Sequence, residues 1–263
     1  MSLTIQGAID TLIASVPGAP FVETVDTIKA GDASQPLSGM VITFLATVEV
    51  LEKAVELGAN LVITHEPIFY NHLDAADWLA QDPIYLAKRK LIEQNNLVIW
   101  RFHDYLHSIP PDNTVVGLVG ALGWDAYASP EVPFLCSIPP MTFEALVAWV
   151  KEHLGLSAVR VMGDAAMVCE KINVFPGFPP PEMQIGLFDQ LKVDVLVVGE
   201  MHEWEVNEYI RDSTRLGAPK ALIVIGHAIS EEPGVKRMLP WIQERLPGVD
   251  IQFVPTGQAL RFL

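Results

Sequence analysis

Strand-sized apolar runs alternate with helix-like segments along the whole of this sequence, and that alternation does most to restrict its fold. Met40-Val41-Ile42-Thr43-Phe44-Leu45, Leu61-Val62-Ile63-Thr64, Leu97-Val98-Ile99-Trp100, Val195 to Val198 and Ala221 to Ile225 are nearly continuous apolar runs of strand length. A strand that is apolar at successive positions has both faces buried, as parallel strands do. Between these runs lie helix signals. Ile5, Ile9, Leu12 and Ile13 recur at helical spacing, and Thr47 caps a segment that carries Leu51 and Val55 and stops at Gly58. Asp82-Pro83 opens another helix, and Thr142 to Leu154 forms one that Gly155 ends. Further helices are expected after His202 and after Glu231. The pattern predicts an α/β fold of mainly parallel sheets covered by helices.

Proline sets the punctuation. Phe175-Pro176-Gly177-Phe178-Pro179-Pro180-Pro181 can continue neither a helix nor a central strand and is expected to be a loop. Pro130 to Pro140 is similarly interrupted and suggests a boundary. The expected divisions are an N-terminal α/β lobe over 1–130, a second α/β lobe over 131–217, and a closing segment over 218–263.

Composition excludes several classes. Half of the 263 residues are hydrophobic, which is incompatible with a disordered chain. Yet the apolar runs are far shorter than a membrane span. The opening Met1-Ser2-Leu3-Thr4-Ile5-Gln6 has neither a basic region nor a long apolar stretch, so no signal peptide is expected. Cys136 and Cys169 have no CxxC spacing and read as buried apolar residues. These features predict a cytoplasmic protein with no membrane partner. The formal net charge is −15, and no cluster of Lys and Arg offsets it, so nucleic acid is not an expected partner.

Histidine and acidic residues gather where those strands end. His65 and Glu66 follow one strand; His103, Asp104 and His107 follow the next; Glu200, His202 and Glu203 follow a third; and His227 follows a fourth, with Glu231 four residues on. Ligand crevices of open α/β sheets lie beyond the carboxyl ends of strands, so four strands are expected to deliver metal-type ligands to one sheet edge. A lone histidine after a strand is more often a capping or hydrogen-bonding residue than a ligand. Glu231 also suits a helix N-terminus through the helix dipole, and Glu203 and Glu205 read as solvated. His153 suits a helix C-terminus, and His72 lies in a polar loop. The bland account weakens because four clusters must coincide.

These residues carry a resemblance. Gly58-Ala59-Asn60-Leu61-Val62-Ile63-Thr64-His65-Glu66-Pro67-Ile68-Phe69 is similar to a segment of the NIF-three-like family that ends in Thr-His-His-Pro. Members of this family are also labelled GTP cyclohydrolase type 2-like or dinuclear metal-centre proteins. Phe102-His103-Asp104-Tyr105-Leu106-His107 occupies the place of the family's His-Thr-Asn-Leu-Asp motif, and Gly199-Glu200-Met201-His202-Glu203 that of a later acidic and histidine-bearing segment. Ile225-Gly226-His227-Ala228-Ile229-Ser230-Glu231-Glu232-Pro233-Gly234 resembles its closing Gly-His-x-x-x-Glu segment. The resemblance runs in order through roughly residues 40 to 260. Two positions depart from the pattern: Glu66 stands where the family has its second adjacent histidine, and His107 where it has an aspartate ligand. Three imidazoles and two carboxylates are kept, with one of each exchanged.

The resemblance implies metal ligands at His65, Glu66, His107, His227 and Glu231, holding two divalent ions such as zinc, iron, manganese or nickel. It also implies the compact form of the family, assembled as a homo-oligomer, typically a toroidal hexamer. The metal site is expected in the cleft between two sublobes. Such a site points to a metal-dependent hydrolase acting on a small anionic or cyclic-amide substrate, with nucleotides among the candidates. His103, Asp104 and Glu200 are then candidates for proton transfer or ligand orientation. No Walker-type phosphate loop supports GTP itself. The alternative is a non-catalytic metal-binding or regulatory oligomer with the same ligands.

Overall fold

The structure is a computed structural model that describes residues 3–261. Met1 and Ser2, on which the expected lack of a signal peptide partly rests, lie outside the described residues. So do residues 262 and 263, the end of the expected closing segment. The chain divides into two compact units, Met1–Asn113 with Val235–Thr256, and Thr114–Gly234 with Gly257–Leu263.

In chain order, the elements up to the first division are α1 (Ile5–Ile13), β1 (Ile28–Ala30), β2 (Met40–Thr43), α2 (Val48–Glu56), β3 (Leu61–Thr64), α3 (Pro83–Gln94), β4 (Val98–Arg101) and α4 (Asp104–His107). Then come α5 (Asn113–Ala121), β5 (Leu135–Thr142), α6 (Phe143–His153), β6 (Arg160–Met162), β7 (Val168–Phe175), α7 (Pro181–Gln190), β8 (Val195–Val198), α8 (Glu208–Arg215), β9 (Ala221–Val224), α9 (His227–Arg245) and β10 (Ile251–Phe253).

The first unit is built on a sheet in the order β1-β4-β3-β2-β10, parallel from β4 to β10, with β1 antiparallel at one edge. The continuous apolar strands explain it. Met40, Ile42, Leu61, Ile63, Val98 and Trp100 face one way, toward Ile5, Ile9 and Leu12 of α1 and Val235, Met238 and Ile242 of α9. Val41, Val62 and Ile99, the residues between them, face Val50, Leu51 and Ala54 of α2 and Ile92 of α3. Helix starts are fixed locally. Thr47 Oγ1 accepts from Val50 N, and Asp82 accepts from Ile84 N and Tyr85 N ahead of Pro83. Each such cap stabilises its helix by about 1 kcal/mol.

The second unit repeats the layering in the order β5-β7-β8-β9-β6, with β7, β8 and β9 parallel and both edges antiparallel. Val195, Val197, Ala221 and Ile223 pack on α5 and α6, whereas Leu196, Val198, Leu222 and Val224 pack on α7 and α8. Pro139 and Pro140, in the stretch expected to mark a boundary, fall instead in edge strand β5, where its pairing with β7 shifts register. Proline is tolerated there because an edge or bulge position needs no ladder N–H.

Three other features differ from the sequence expectation. The four ligand-bearing strands belong to two sheets rather than one: β3 and β4 to the first, β8 and β9 to the second. Apolar runs identify strands but do not say which strands pair. The helix expected after Glu231 starts at His227 and continues through Pro233 and Pro240. Pro233 removes one helical hydrogen bond, but burial of Val235, Met238, Ile242 and Leu246 at helical spacing holds the helix together. Gly234 beside it has a separate duty: Gly117 of α5 lies so close that a Cβ there would meet Gly234 N at 2.4 Å. Lastly, Glu203–Asn207 forms a π-helical turn ahead of α8. Among the described residues, no helix is long and apolar enough to cross a membrane.

Candidate metal centre

In the first unit, neighbouring parallel strands β3 and β4 end side by side and put His65-Glu66 next to His103 and the single turn α4. Asp26 holds that turn. Its Oδ1 accepts from His103 N at 2.7 Å and its Oδ2 from Tyr105 N at 2.8 Å. Burial raises the Asp26 carboxyl pKa, and the backbone N–H bonds from Tyr105 and His103 offset part of the rise.

Three imidazoles meet above the turn. The His65 ring stacks on His103 at 4.7 Å, and His107 stands edge-on to both, at 5.1 and 4.8 Å. Each ring offers a ligand nitrogen within 4.8 Å of those of the other two. Their tautomers follow from their partners. His65 Nδ1 lies 3.3 Å from Phe102 O, His103 Nδ1 2.9 Å from Asp104 Oδ1, and His107 Nδ1 2.9 Å from Asp112 Oδ2. A carbonyl and two carboxylates only accept, so all three Nδ1 atoms carry a proton, which leaves Nε2 as the candidate ligand atom of each ring. That is how metal-ligating histidines are usually oriented.

Protonation states suit the same purpose. Burial pushes the His103 pKa down to about 4, helped by the neighbouring His65 and His107, so the ring is neutral at pH 7. Burial raises the Asp104 carboxyl, but hydrogen bonds from His103, Thr24 Oγ1 and Val25 N outweigh it, and its pKa falls below the ordinary carboxylate value. Asp104 is therefore an anion at neutral pH.

Beside the imidazoles, Glu66 has Oε1 3.8 Å from His103 Nε2 and Oε2 3.6 Å from the guanidinium of Arg101. Arg101 is completely buried. Its Nε donates to His65 O at 3.2 Å, and its terminal nitrogens reach the His72 carbonyl and Asp74. Asp74 is itself paired with Lys29 at 3.5 Å. His72 thus joins the edge of the cluster, its ring 5.7 Å from His103.

Within the second unit, further donors come from the ends of β7, β8 and β9. Gly177 N donates to Ser230 Oγ, Glu200 N to Gly177 O, and Gly226 N to Gly199 O, which laces the three ends together. His227 and Glu231 are four apart on α9 and so share one face. His227 Nδ1 lies 2.9 Å from Glu200 Oε1, and its Nε2 3.2 Å from Glu231 Oε2. Two ligands bound to one ion at about 2.1 Å stand about 3.0 to 3.4 Å apart, so this pair has the spacing an ion requires. Glu231 is only 4% exposed, and a buried carboxylate needs compensating charge. Gly177 has φ +71°, and a Cβ on it would lie 2.4 Å from Glu231 Oε1. Only glycine leaves the carboxylate room. His202 turns away toward Glu205 and stacks on Trp204, so of the Glu200 cluster Glu200 alone joins this group.

All the site residues expected from sequence fall into these two groups: His65, Glu66, His103, Asp104 and His107 in one, and Glu200, His227 and Glu231 in the other. Asp26, Asp112, Arg101 and Gly177 were not foreseen. The only local signal was for Asp112, an acid five residues beyond a histidine. Cys136 and Cys169 are buried, with thiols that burial pushes up to about 12, and take no part.

The strand ends of the two α/β units gather imidazoles and carboxylates into groups that could hold a metal ion, and the donor chemistry fits divalent ions. The Duf34/NIF3 (NGG1p interacting factor 3) family matches residues 26–258, and the chain belongs to that family. A Clostridium perfringens protein named GTP cyclohydrolase 1 type 2 homolog is 23% identical over 243 residues, 88% of this chain and 87% of its own. A Staphylococcus aureus hypothetical protein superposes with TM-score 0.77 at 17% identity and covers 100% of both chains. A Bacillus cereus protein related to NIF3 superposes with TM-score 0.76 at 16% identity, covering 99% of this chain and 98% of its own. These structural likenesses extend the fold over the whole length.

Proposed function

We propose that this chain is a metal-dependent hydrolase of a small anionic or cyclic-amide substrate. Its ligands are His65, Glu66 and His107 from the first unit and His227 and Glu231 from the second, for two divalent ions. The support is the orientation of the rings: His65, His103 and His107 each point Nδ1 at an oxygen acceptor, the orientation in which imidazoles bind metal through Nε2, and His227 stands between Glu200 and Glu231. A divalent ion held this way supplies Lewis acidity and lowers the pKa of bound water. The protein's own part is orientation and proton handling. Asp112 fixes His107, Asp104 fixes His103, and Glu200 fixes His227. Because Asp104 is ionised at neutral pH, it orients a ring or accepts a proton and does not donate one.

The names of relatives such as the Clostridium perfringens protein place nucleotides among the substrates to test. The same proposal includes a cytoplasmic homo-oligomer, a hexamer by resemblance, that does not engage nucleic acid. The test is elemental analysis of protein purified without chelator, followed by a screen of phosphoesters, cyclic amides and nucleotides with and without added metal. Metal uptake with turnover that His65→Ala and His227→Ala both abolish supports the hydrolase. Turnover that survives complete chelation overturns it, and uptake without turnover across the screen favours a non-catalytic metal-binding role.

A further inference from the structure

We propose that His103 is itself a metal ligand, so that His65, His103 and His107 together hold one ion of the borderline divalent class, zinc, cobalt or nickel. This rests on the metal-centre assignment above and changes His103 from a proton-transfer candidate to a ligand.

The first ground is geometric. The three ring centroids lie 4.7, 4.8 and 5.1 Å apart, and the ligand nitrogens are within 4.8 Å of one another. A general base held apart from an ion would not need to stack on one of its ligands at an interplanar angle of 20°.

The second ground is the hydrogen-bond pattern. His103 is oriented just as His65 and His107 are, with Nδ1 on an oxygen that can only accept. The Asp104 carboxylate behind it is in turn held by Thr24 Oγ1 at 2.8 Å and Val25 N at 3.0 Å. Such a backed carboxylate–histidine pair is the usual support of a metal-bound imidazole. With Nδ1 on an acceptor, each ring has Nε2 as its candidate ligand atom.

The third ground concerns the neighbouring carboxylate. Glu66 shares its charge with the buried Arg101 guanidinium, 3.6 Å from Oε2. That competition weakens Glu66 as a ligand for this ion. Three imidazoles then dominate, and imidazole selects zinc, nickel and cobalt over magnesium and manganese, which favour oxygen.

The experiment uses the full-length chain carrying His227→Ala, which takes the second unit's imidazole out of the count. Metal-stripped protein is titrated with Co(II), followed by visible absorption and by X-ray absorption to count imidazoles. The expected result is one equivalent of cobalt with three imidazoles, displaced by Zn(II) but not by a thousandfold excess of Mg(II). Adding His103→Ala should remove one imidazole from the count and weaken binding by more than the roughly 10- to 100-fold that loss of an outer-shell partner costs. Asp104→Asn should weaken binding within that range and keep three imidazoles. Far-ultraviolet circular dichroism checks that each variant is folded, and His103→Gln serves if the alanine variant is not. Cobalt bound with an unchanged imidazole count in the His103 variants overturns the proposal and leaves the metal-centre assignment standing. No cobalt bound by His227→Ala or by the unsubstituted chain overturns both.

Discussion

Substituting Gly177 by alanine should separate the stability of the second unit from its function. The residue sits at φ +71°, a conformation that costs an L side chain roughly 1–2 kcal/mol. The new Cβ would stand 2.4 Å from Glu231 Oε1, 3.3 Å from its Cδ and 3.5 Å from His227 Nε2. The obstructing atom is the end of a flexible side chain, so the carboxylate yields and the backbone does not. It must retreat by about 1 Å to reach an ordinary contact distance. The stability loss should therefore stay near the backbone cost, at most about 2 kcal/mol. The ligand pair, in contrast, loses a spacing that sites of this kind must hold to about 0.5 Å. Calorimetric titration of metal-stripped Gly177→Ala with Zn(II) should show one class of sites weakened by roughly 10- to 100-fold. Glu231→Gln should produce a similar loss, and the double variant should lose little more than either alone, because both act on one carboxylate. Unchanged zinc affinity in Gly177→Ala, or full additivity in the double variant, would refute this account of the glycine.

Other expectations follow from the first unit. In metal-free protein, His103 titrates near 4 when folded and near 6.5 when unfolded, so both states are neutral above pH 6.5. As pH falls from 6.5 toward 4 the unfolded chain takes up the proton first, and stability should drop by about 3 kcal/mol. Denaturant melts of the wild type and His103→Gln should diverge over that range, and parallel pH profiles would contradict the assignment. Asp112→Ala removes the acceptor that orients His107 and should weaken zinc binding by about 10- to 100-fold without unfolding the chain; unaltered affinity would exclude the orienting role. Arg101→Met strips the charge partner from Glu66 and the donor from the His65 carbonyl, and should destabilise the protein by about 3–5 kcal/mol. A loss below 1 kcal/mol in thermal or chemical melts would show that the buried guanidinium is dispensable.

Much of the strand framework was legible from the chain because burial on both faces writes itself as uninterrupted apolar runs. β3 and β8 have the bounds that Leu61 to Thr64 and Val195 to Val198 suggest, and Thr47, Asp82 and Thr142 cap the helices they announce. Pairing was not legible. Nothing local in Val195 to Val198 says that it lies beside Ala221 rather than beside Leu61, since both partners are equally apolar. The start of α9 was misplaced because Pro233 is a strong local stop signal, while the apolar burial that overrides it lies downstream. In the site, strand-end histidines were visible because ligand chemistry needs particular residue types. Asp26 was not, since it supports α4 from 77 residues away through backbone N–H groups that any sequence possesses. Arg101 ended an apolar run and gave no sign that its charge would be turned inward.

The order in which the first unit receives its parts sets a constraint on its birth. Its sheet lacks strand β10 and the α9 part of one helical layer until Val235–Thr256 has been made, long after Asn113. At translation rates of about 5–20 residues per second, that interval lasts on the order of ten seconds. During it, Met40 has its parallel neighbour on the β3 side only, and Ile42, Ile63 and Trp100 lack the cover of Met238 and Ile242. The second sheet, whose strands lie within Leu135–Val224, is complete first. The nascent chain therefore carries an incompletely covered, mainly parallel and slow-forming sheet past the ribosome while the later-coded one is already complete. An exposed β2 edge of that lifetime is what chaperones capture, so this protein's yield in a cell should depend on holding its earliest-made strands apart until its last strand arrives.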